Sequence, residues 1–212
     1  MYTLYWNNGS ASITAHMALE ESGAPYTLKF IDMDKGEHQT PGYLKINPNG
    51  KVPTLAIDGK RSMFETCAIA LYLADRHPAS GLAPAMDDPA RAPYLQWMVH
   101  LTNSIQPLYM LYYYPERHTA NPAHVEEIKA KASESIAAAW ERVDKALGVS
   151  GPYMAGDRFS AADLPVVMLT GWQQARPDVL DKNKNKNIRR LVELVSARPA
   201  IARVLKKNQA AA

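Results

Sequence analysis

Residues 5–26 read YWNNGSASITAHMALEESGAPY. An alternating apolar run gives way to an amphipathic one, the pattern of a strand followed by a helix. The strand is YTLYW (2–6) and the helix is SITAHMALEES (12–22), with Ile13, Met17 and Leu19 among its apolar positions. Gly23 suits the C-cap and Pro25 stops the helix. At the junction, Gly9-Ser10-Ala11-Ser12 offers two hydroxyls with no cysteine between them. Ser10 and Ser12 are each suited to cap the helix. Donors at a helix N-terminus also stabilise anions and lower thiol pKa values, so a ligand-directed reading stands beside the cap. No basic partner for a serine nucleophile lies nearby, which argues against a covalent serine hydrolase.

Beyond Pro25, YTLKFIDM (26–33) alternates as a second strand and TPGYLKIN (40–47) is a short helix or turn broken by NPNG. VPTLAIDGKRSMFE (52–65) reads as a hairpin around Asp58-Gly59, and TCAIALYLADRH (66–77) as a helix ended by Pro78. The composition then shifts to the proline-, glycine- and alanine-rich PASGLAPAMDDPA (78–90). No convincing strand follows. ARAPYLQWMVHLTNSIQPLYMLYYY (90–114) is a long helix bent near Pro107, and AHVEEIKAKASESIAAAWERVDKALG (123–148) a second one with a glycine stop. In FSAADL, Ser160 and Asp163 stand at capping-box spacing. IRRLVELVSAR and AIARVLKKNQ close the chain. The expected organisation is a small α/β domain over 1–78, a linker over 79–87 and an all-α helical domain over 88–212.

The 212 residues, 47% hydrophobic and 21% charged, suit a globular chain with ample core. The net charge of +3 owes much to DKNKNKNIRR (181–190), a solvated loop leading into a helix. A phosphate-binding patch is the minority reading, because no aromatics interleave the lysines. MYTLYW lacks the basic start and apolar core of a secretory signal, and no apolar run is long enough to cross a membrane. The single cysteine, Cys67, excludes an internal disulfide and a Cys-rich zinc site. No P-loop, Rossmann glycine pattern or metal-ligand spacing is present. A cytoplasmic protein with no metal, no nucleic-acid partner and no membrane association is expected.

Pro53 cannot donate to a ladder and belongs at a strand's start or edge; by its residues alone an ordinary trans turn outweighs a cis bond. Thr66 at a helix start is explained by capping, and equally by a hydroxyl and amides that hold a ligand carboxylate while Glu65 holds an ammonium. His16 reads as a packed side chain. His38 and Lys35 lie in a polar loop. Tyr109, Tyr112, Tyr113 and Tyr114 are too close in sequence to face one core together, so some should line a cleft or interface.

Taken in order, GSAS…HMALEESGAPY, GEHQTPGYLKINPNGKVPTL, ETCAIALYLADRHP and FSAADL resemble the cytosolic glutathione transferases over nearly the whole chain. The first stretch is similar to the bacterial beta class and the middle to the insect delta class. The resemblance implies a thioredoxin-like first domain with Val52-Pro53 cis and glutathione lying across it. Val52 would pair with the cysteinyl unit, and Glu65 and Thr66 would hold the γ-glutamyl end. Lys35, His38 and Lys51 would approach the glycine carboxylate. The Ser160 box would be a folding signal.

Beta-class relatives carry cysteine where this chain has Ala11, so a disulfide or glutathione-adduct mechanism at that position is excluded. The delta-like alignment puts the functional hydroxyl at Ser10, and Ser12 aligns with the hydroxyl that follows the beta-class cysteine. One serine would cap the helix and the other donate to the glutathione sulfur, with Ser10 favoured for the sulfur. The implied function is a homodimeric glutathione transferase of detoxification. It would present the thiolate to a hydrophobic electrophile in an apolar cleft between the domains. Asn103, Gln106, Tyr109, Tyr113 and Trp172 are the electrophile-site candidates, with packing an equal alternative for each. A non-catalytic binding or scaffold protein and a glutathione-dependent isomerase or dehalogenase are the rival readings.

Overall fold

The computed structural model of the chain describes residues 1–172, 175–181 and 183–210. Strand β1 (Tyr2–Trp6) runs into helix α1 (Ser12–Ser22), which returns the chain to β2 (Tyr26–Phe30), parallel to β1. The short α2 (Pro41–Leu44) is started by Thr40, whose hydroxyl accepts from the Tyr43 amide. The hairpin β3 (Thr54–Ile57) and β4 (Arg61–Phe64) turns at Asp58-Gly59 as the sequence predicts, and α3 (Thr66–Arg76) follows. The sheet order is β2-β1-β3-β4, with β3 antiparallel to both neighbours.

Leu4 faces Leu55 across the β1–β3 pair, and both are fully buried. Met17 and Leu19 of α1 and Ile69 and Leu73 of α3 are likewise sealed, and the two helices pack against each other. Each such side chain contributes roughly 1.5–3 kcal/mol relative to exposure. Gly23 caps α1 at φ 67°, in the left-handed region glycine tolerates best.

The buried polar groups of α1 form a chain. Tyr26 has one hydroxyl proton and donates it to Glu20 Oε1 at 2.6 Å, so its oxygen accepts from His16 Nε2 at 2.9 Å. Nδ1 is then the unprotonated nitrogen, buried with no hydrogen-bond partner among the described residues. A second proton on that ring would have no acceptor, and burial pushes the His16 pKa down to about 4. His16 is thus a packed side chain, as expected.

The first compact unit comprises Met1–Pro84 together with residues 196–210, and the second is Ala85–Val195. The boundary after Pro84 lies inside the segment expected as a linker, and the residues from 196 on join the first unit. Leu82, inside the expected linker, is fully buried. The last helix, α9 (Pro199–Ala210), packs on α1. Ile201 and Val204 are buried, Arg198 grips Glu21 through two 2.8 Å bonds, and Arg203 pairs with Glu20 at 2.9 Å.

In the second unit, the long helix expected over 90–114 is α4 (Arg91–His100), a π-helical turn (Leu101–Ile105) and α5 (Gln106–Tyr113). Pro107 lacks the amide that would continue an α-helical ladder, and the wider turn absorbs the fault. α6 (Val125–Ser150) passes through Gly148, the expected stop, and ends at Gly151. A Cβ at Gly148 would lie 3.2 Å from Asn187 Nδ2, so glycine there makes room for α8 (Lys186–Ser196). Asp144 of α6 accepts from the Asn187 and Ile188 amides and serves as that helix's cap. The Ser160–Asp163 capping box is formed ahead of the buried α7 (Leu164–Thr170). Among the described residues no helix is long and apolar enough to cross a membrane.

Candidate functional site

The strand registers place the functional loops. Trp6 pairs with Phe30, Tyr5 with Thr54, and Thr54 with Phe64. The C-terminal ends of β1, β2 and β4 and the N-terminal end of β3 therefore lie at one end of the sheet. Four segments converge there: 7–11 before α1, the 31–39 loop, Val52-Pro53 before β3, and Glu65-Thr66 at the start of α3. Asn7 Nδ2 donates to the Ile31 carbonyl at 2.8 Å and ties the first two together.

The two serines do not cap α1 as expected. The cap position belongs to Ala11, which has no side-chain acceptor to offer. Ser12 is the first helical residue and is wholly buried, whereas Ser10 is half-buried. Their hydroxyls lie 2.7 Å apart, and the Asn7 carbonyl sits 2.8 Å from Ser10 Oγ and 2.9 Å from Ser12 Oγ. Ser12 Oγ accepts from the Asn7 amide, and Ser10 Oγ accepts from the Ser12 amide, both at 3.2 Å. Ser10, one residue further out than a standard cap, holds the first helical N–H.

The Val52-Pro53 peptide is cis, against the turn-proline expectation from the residues and in line with that from the resemblance. The segment is braced from beneath. The buried Tyr43 hydroxyl and Asn47 Nδ2 reach the Lys51 carbonyl at 2.7 and 2.8 Å, and both contact Thr54 Oγ1. Val52's own amide and carbonyl take no hydrogen-bond partner among the described residues. Tyr43 and Asn47 are contributors the sequence reading missed; NPNG reads as a breaker, and nothing local shows that its first asparagine turns inward.

Glu65 is exposed at φ 70° and ψ 111°. Positive φ is uncommon outside glycine, and such strain collects at ligand-binding positions. Thr66 does not cap α3: it is the first helical residue, and its hydroxyl donates to the Ala11 carbonyl at 2.6 Å. The first-turn amides of a helix have no intrahelical acceptor, which leaves an anion-favouring end beside Glu65.

The three candidates for a ligand carboxylate differ. Lys35 is paired to Asp32 at 2.8 Å, and that carboxylate raises its pKa. Lys51 is exposed with no ion-pair partner among the described residues. His38 is half-buried, and its Nδ1 has no hydrogen-bond partner among the described residues.

The second unit sorts its five candidates. Tyr109 is buried, and its hydroxyl accepts from Trp140 Nε1 at 2.7 Å, which makes it a core residue. Burial drives its pKa up, so the phenol stays neutral. Its ring meets Trp172 at 5.6 Å edge-on, and Tyr113 donates to the Trp172 carbonyl at 3.2 Å. Asn103 is exposed in the π turn and Gln106 half-buried at the start of α5; neither side chain hydrogen-bonds to that aromatic group.

A parallel β1-α1-β2 unit followed by an antiparallel hairpin and helix, with a cis-proline at the head of β3, defines a thioredoxin-like domain, here followed by a mostly helical one. Residues 10–76 match the family model of the glutathione S-transferase N-terminal domain, and residues 103–208 that of the C-terminal domain. Glutathione S-transferase F14 of Arabidopsis thaliana is 32% identical over 217 residues, covering 96% of this chain and 81% of that protein. A glutathione transferase homologue from Sulfitobacter, solved with bound glutathione, is 30% identical, with 98% of each chain covered and a TM-score of 0.88. A sphingomonad glutathione S-transferase complexed with glutathione is also 30% identical, with 98% of each chain covered and a TM-score of 0.82. The chain belongs to the glutathione S-transferase family.

Proposed function

We propose that this chain binds glutathione at the end of the sheet where its four loops converge, and that the Ser10 hydroxyl donates to the glutathione sulfur and favours the thiolate. The observation that carries the choice of serine is exposure. Ser10 is half-buried and can turn its proton outward, while Ser12 is sealed. The open Val52 amide and carbonyl suit the cysteinyl unit, as an extended peptide pairs with unpartnered backbone groups. Glu65 suits the γ-glutamyl ammonium, and Thr66 and its helix end the adjoining carboxylate. Lys51, with no ion-pair partner among the described residues, suits the glycine carboxylate better than Lys35, with His38 assisting. The thiolate then attacks a hydrophobic electrophile, a conjugation that serves detoxification. Asn103, Gln106, Tyr113 and Trp172 remain the electrophile candidates, and Tyr109 leaves that set. The working form is a homodimer, which the exposed Leu95 and Val99, one turn apart on α4, would help to bury.

The test is thiolate absorbance against pH for bound glutathione, with affinity measured by calorimetry. A hydrogen bond to a charged group is worth about 1.5–3 kcal/mol, which lowers a thiol pKa by about one to two from its usual value near 8.5. Ser10→Ala should lose that gain and slow conjugation of an activated aryl chloride, with little change in affinity. An unaltered titration in Ser10→Ala would assign the sulfur to another donor, and no calorimetric binding by the wild type would remove glutathione from the reading.

A further inference from the structure

Asn7 O, Ser10 Oγ and Ser12 Oγ form a triangle with edges of 2.7, 2.8 and 2.9 Å. Two hydroxyl protons serve its three edges. The Asn7 carbonyl accepts only from these two hydroxyls among the described residues. Ser12 is wholly buried and its oxygen already accepts the Asn7 amide, so its proton stays within the triangle. Ser10 alone can send its proton out, and when it does the Asn7 carbonyl depends on Ser12.

We propose that Ser12 is a positioning residue that frees Ser10: its buried proton satisfies the Asn7 carbonyl, so that Ser10 can direct its own proton to a ligand sulfur. The inference rests on the assignment of Ser10 to the sulfur. Leaving a backbone carbonyl without a donor is costly, so a chain lacking the Ser12 hydroxyl holds Ser10 against Asn7. The Ser12 amide meanwhile donates to Ser10 Oγ at 3.2 Å, and an accepted hydrogen bond makes the Ser10 hydroxyl a better donor. Ser12 therefore acts through Ser10 without touching the ligand.

The experiment is the same thiolate titration of bound glutathione, now in Ser12→Ala, Ser12→Thr, Ser10→Ala and the Ser10→Ala/Ser12→Ala pair. Ser12→Ala should raise the bound thiol's pKa by about one, approaching Ser10→Ala. Glutathione affinity should stay within about threefold. The double variant should go no higher than Ser10→Ala, since both changes remove the same bond. Ser12→Thr keeps the hydroxyl and should restore the wild-type titration. Should Ser12→Ala fail to fold, Ser12→Cys, nearly isosteric and a far weaker donor, takes its place, with spectra read against the glutathione-free protein. If the hydroxyl-lacking protein melts earlier but titrates like the wild type while Ser10→Ala shifts, Ser12 is merely structural and this inference fails alone. If Ser10→Ala does not shift either, the Ser10 assignment fails and takes this inference with it.

Discussion

The Thr66 hydroxyl donates to the Ala11 carbonyl at 2.6 Å, joining the starts of α3 and α1 across 55 residues of chain. Thr66 is buried, so the bond works in a partly dry environment. Thr66→Val keeps the shape and leaves the carbonyl without this donor. It should cost about 1–3 kcal/mol in denaturant melts and lower glutathione affinity in calorimetry. Wild-type stability in this variant would mean that the two helix starts are held together by other contacts.

Glu65 separates stability from binding. Its backbone sits at φ 70°, a region glycine occupies without penalty. Glu65→Gly should keep or raise the melting temperature, with a gain on the order of 1 kcal/mol. Both Glu65→Gly and Glu65→Ala should weaken glutathione binding by about tenfold, near 1–2 kcal/mol, because an exposed carboxylate is partly screened by water. Unchanged affinity in a folded Glu65→Ala protein would defeat its placement on the ligand ammonium.

His16 makes stability depend on pH. Its folded pKa of about 4 lies below the ordinary 6.5, with burial as the main cause, Glu20 opposing it and Lys207 adding to it. Between those values the unfolded chain carries the extra proton, so the contribution is whole above about pH 6.5 and drains away as pH falls to about 4. The loss is roughly 3 kcal/mol. Glu20 adds a loss of the same sign. Burial raises its pKa, but the hydrogen bonds from Tyr26 and Arg203 outweigh it and hold the carboxyl below its usual value. Melting curves from pH 7 to 4 should therefore fall more steeply in the wild type than in His16→Gln. Parallel curves would show that His16 is protonated in the folded protein after all.

Tyr109 tests core against site. Tyr109→Phe strands the Trp140 indole N–H, whose partner at 2.7 Å is the lost hydroxyl. The expected cost is about 1–3 kcal/mol of stability, with conjugation of every electrophile tried unaltered. A change in electrophile preference at wild-type stability would return Tyr109 to the electrophile candidates.

Val99 stands 53% exposed on α4, one turn from Leu95 at 40%. A specific dimer buries at least roughly 1,000 Å² in total, and a charge in its apolar centre is strongly unfavourable. Wild-type protein should sediment as a dimer at micromolar concentration and Val99→Asp as a monomer. A monomeric wild type would overturn the homodimer.

Several elements are legible in the sequence because their signals lie within four residues of where they act. The helix SITAHMALEES is α1 to the residue, Gly23 takes its left-handed cap, Asp58-Gly59 makes the hairpin turn, and Ser160 and Asp163 close on each other as a box. Each needs only local backbone preference and a side chain that reaches its own turn. The resemblance adds the cis Val52-Pro53 peptide, which the residues alone do not favour.

Other features have no local signature, because the partner lies far away in sequence and only chain closure brings it near. Asp144 caps α8 from 43 residues upstream, a partner that nothing in the lysine- and asparagine-rich stretch signals. Arg198 finds Glu21 across 177 positions and helps to carry the last helix back to the first unit. The capping roles read for Ser10, Ser12 and Thr66 rest on side chains bonding their own helices. In the folded chain Ser12 and Thr66 are already helical, and Ser12 and Thr66 spend their hydroxyls on the Asn7 and Ala11 carbonyls instead. Residue type and spacing bring hydroxyls to the start of a helix. Which carbonyl they meet, and which of them is left facing outward, follows from burial, a property of the packed chain.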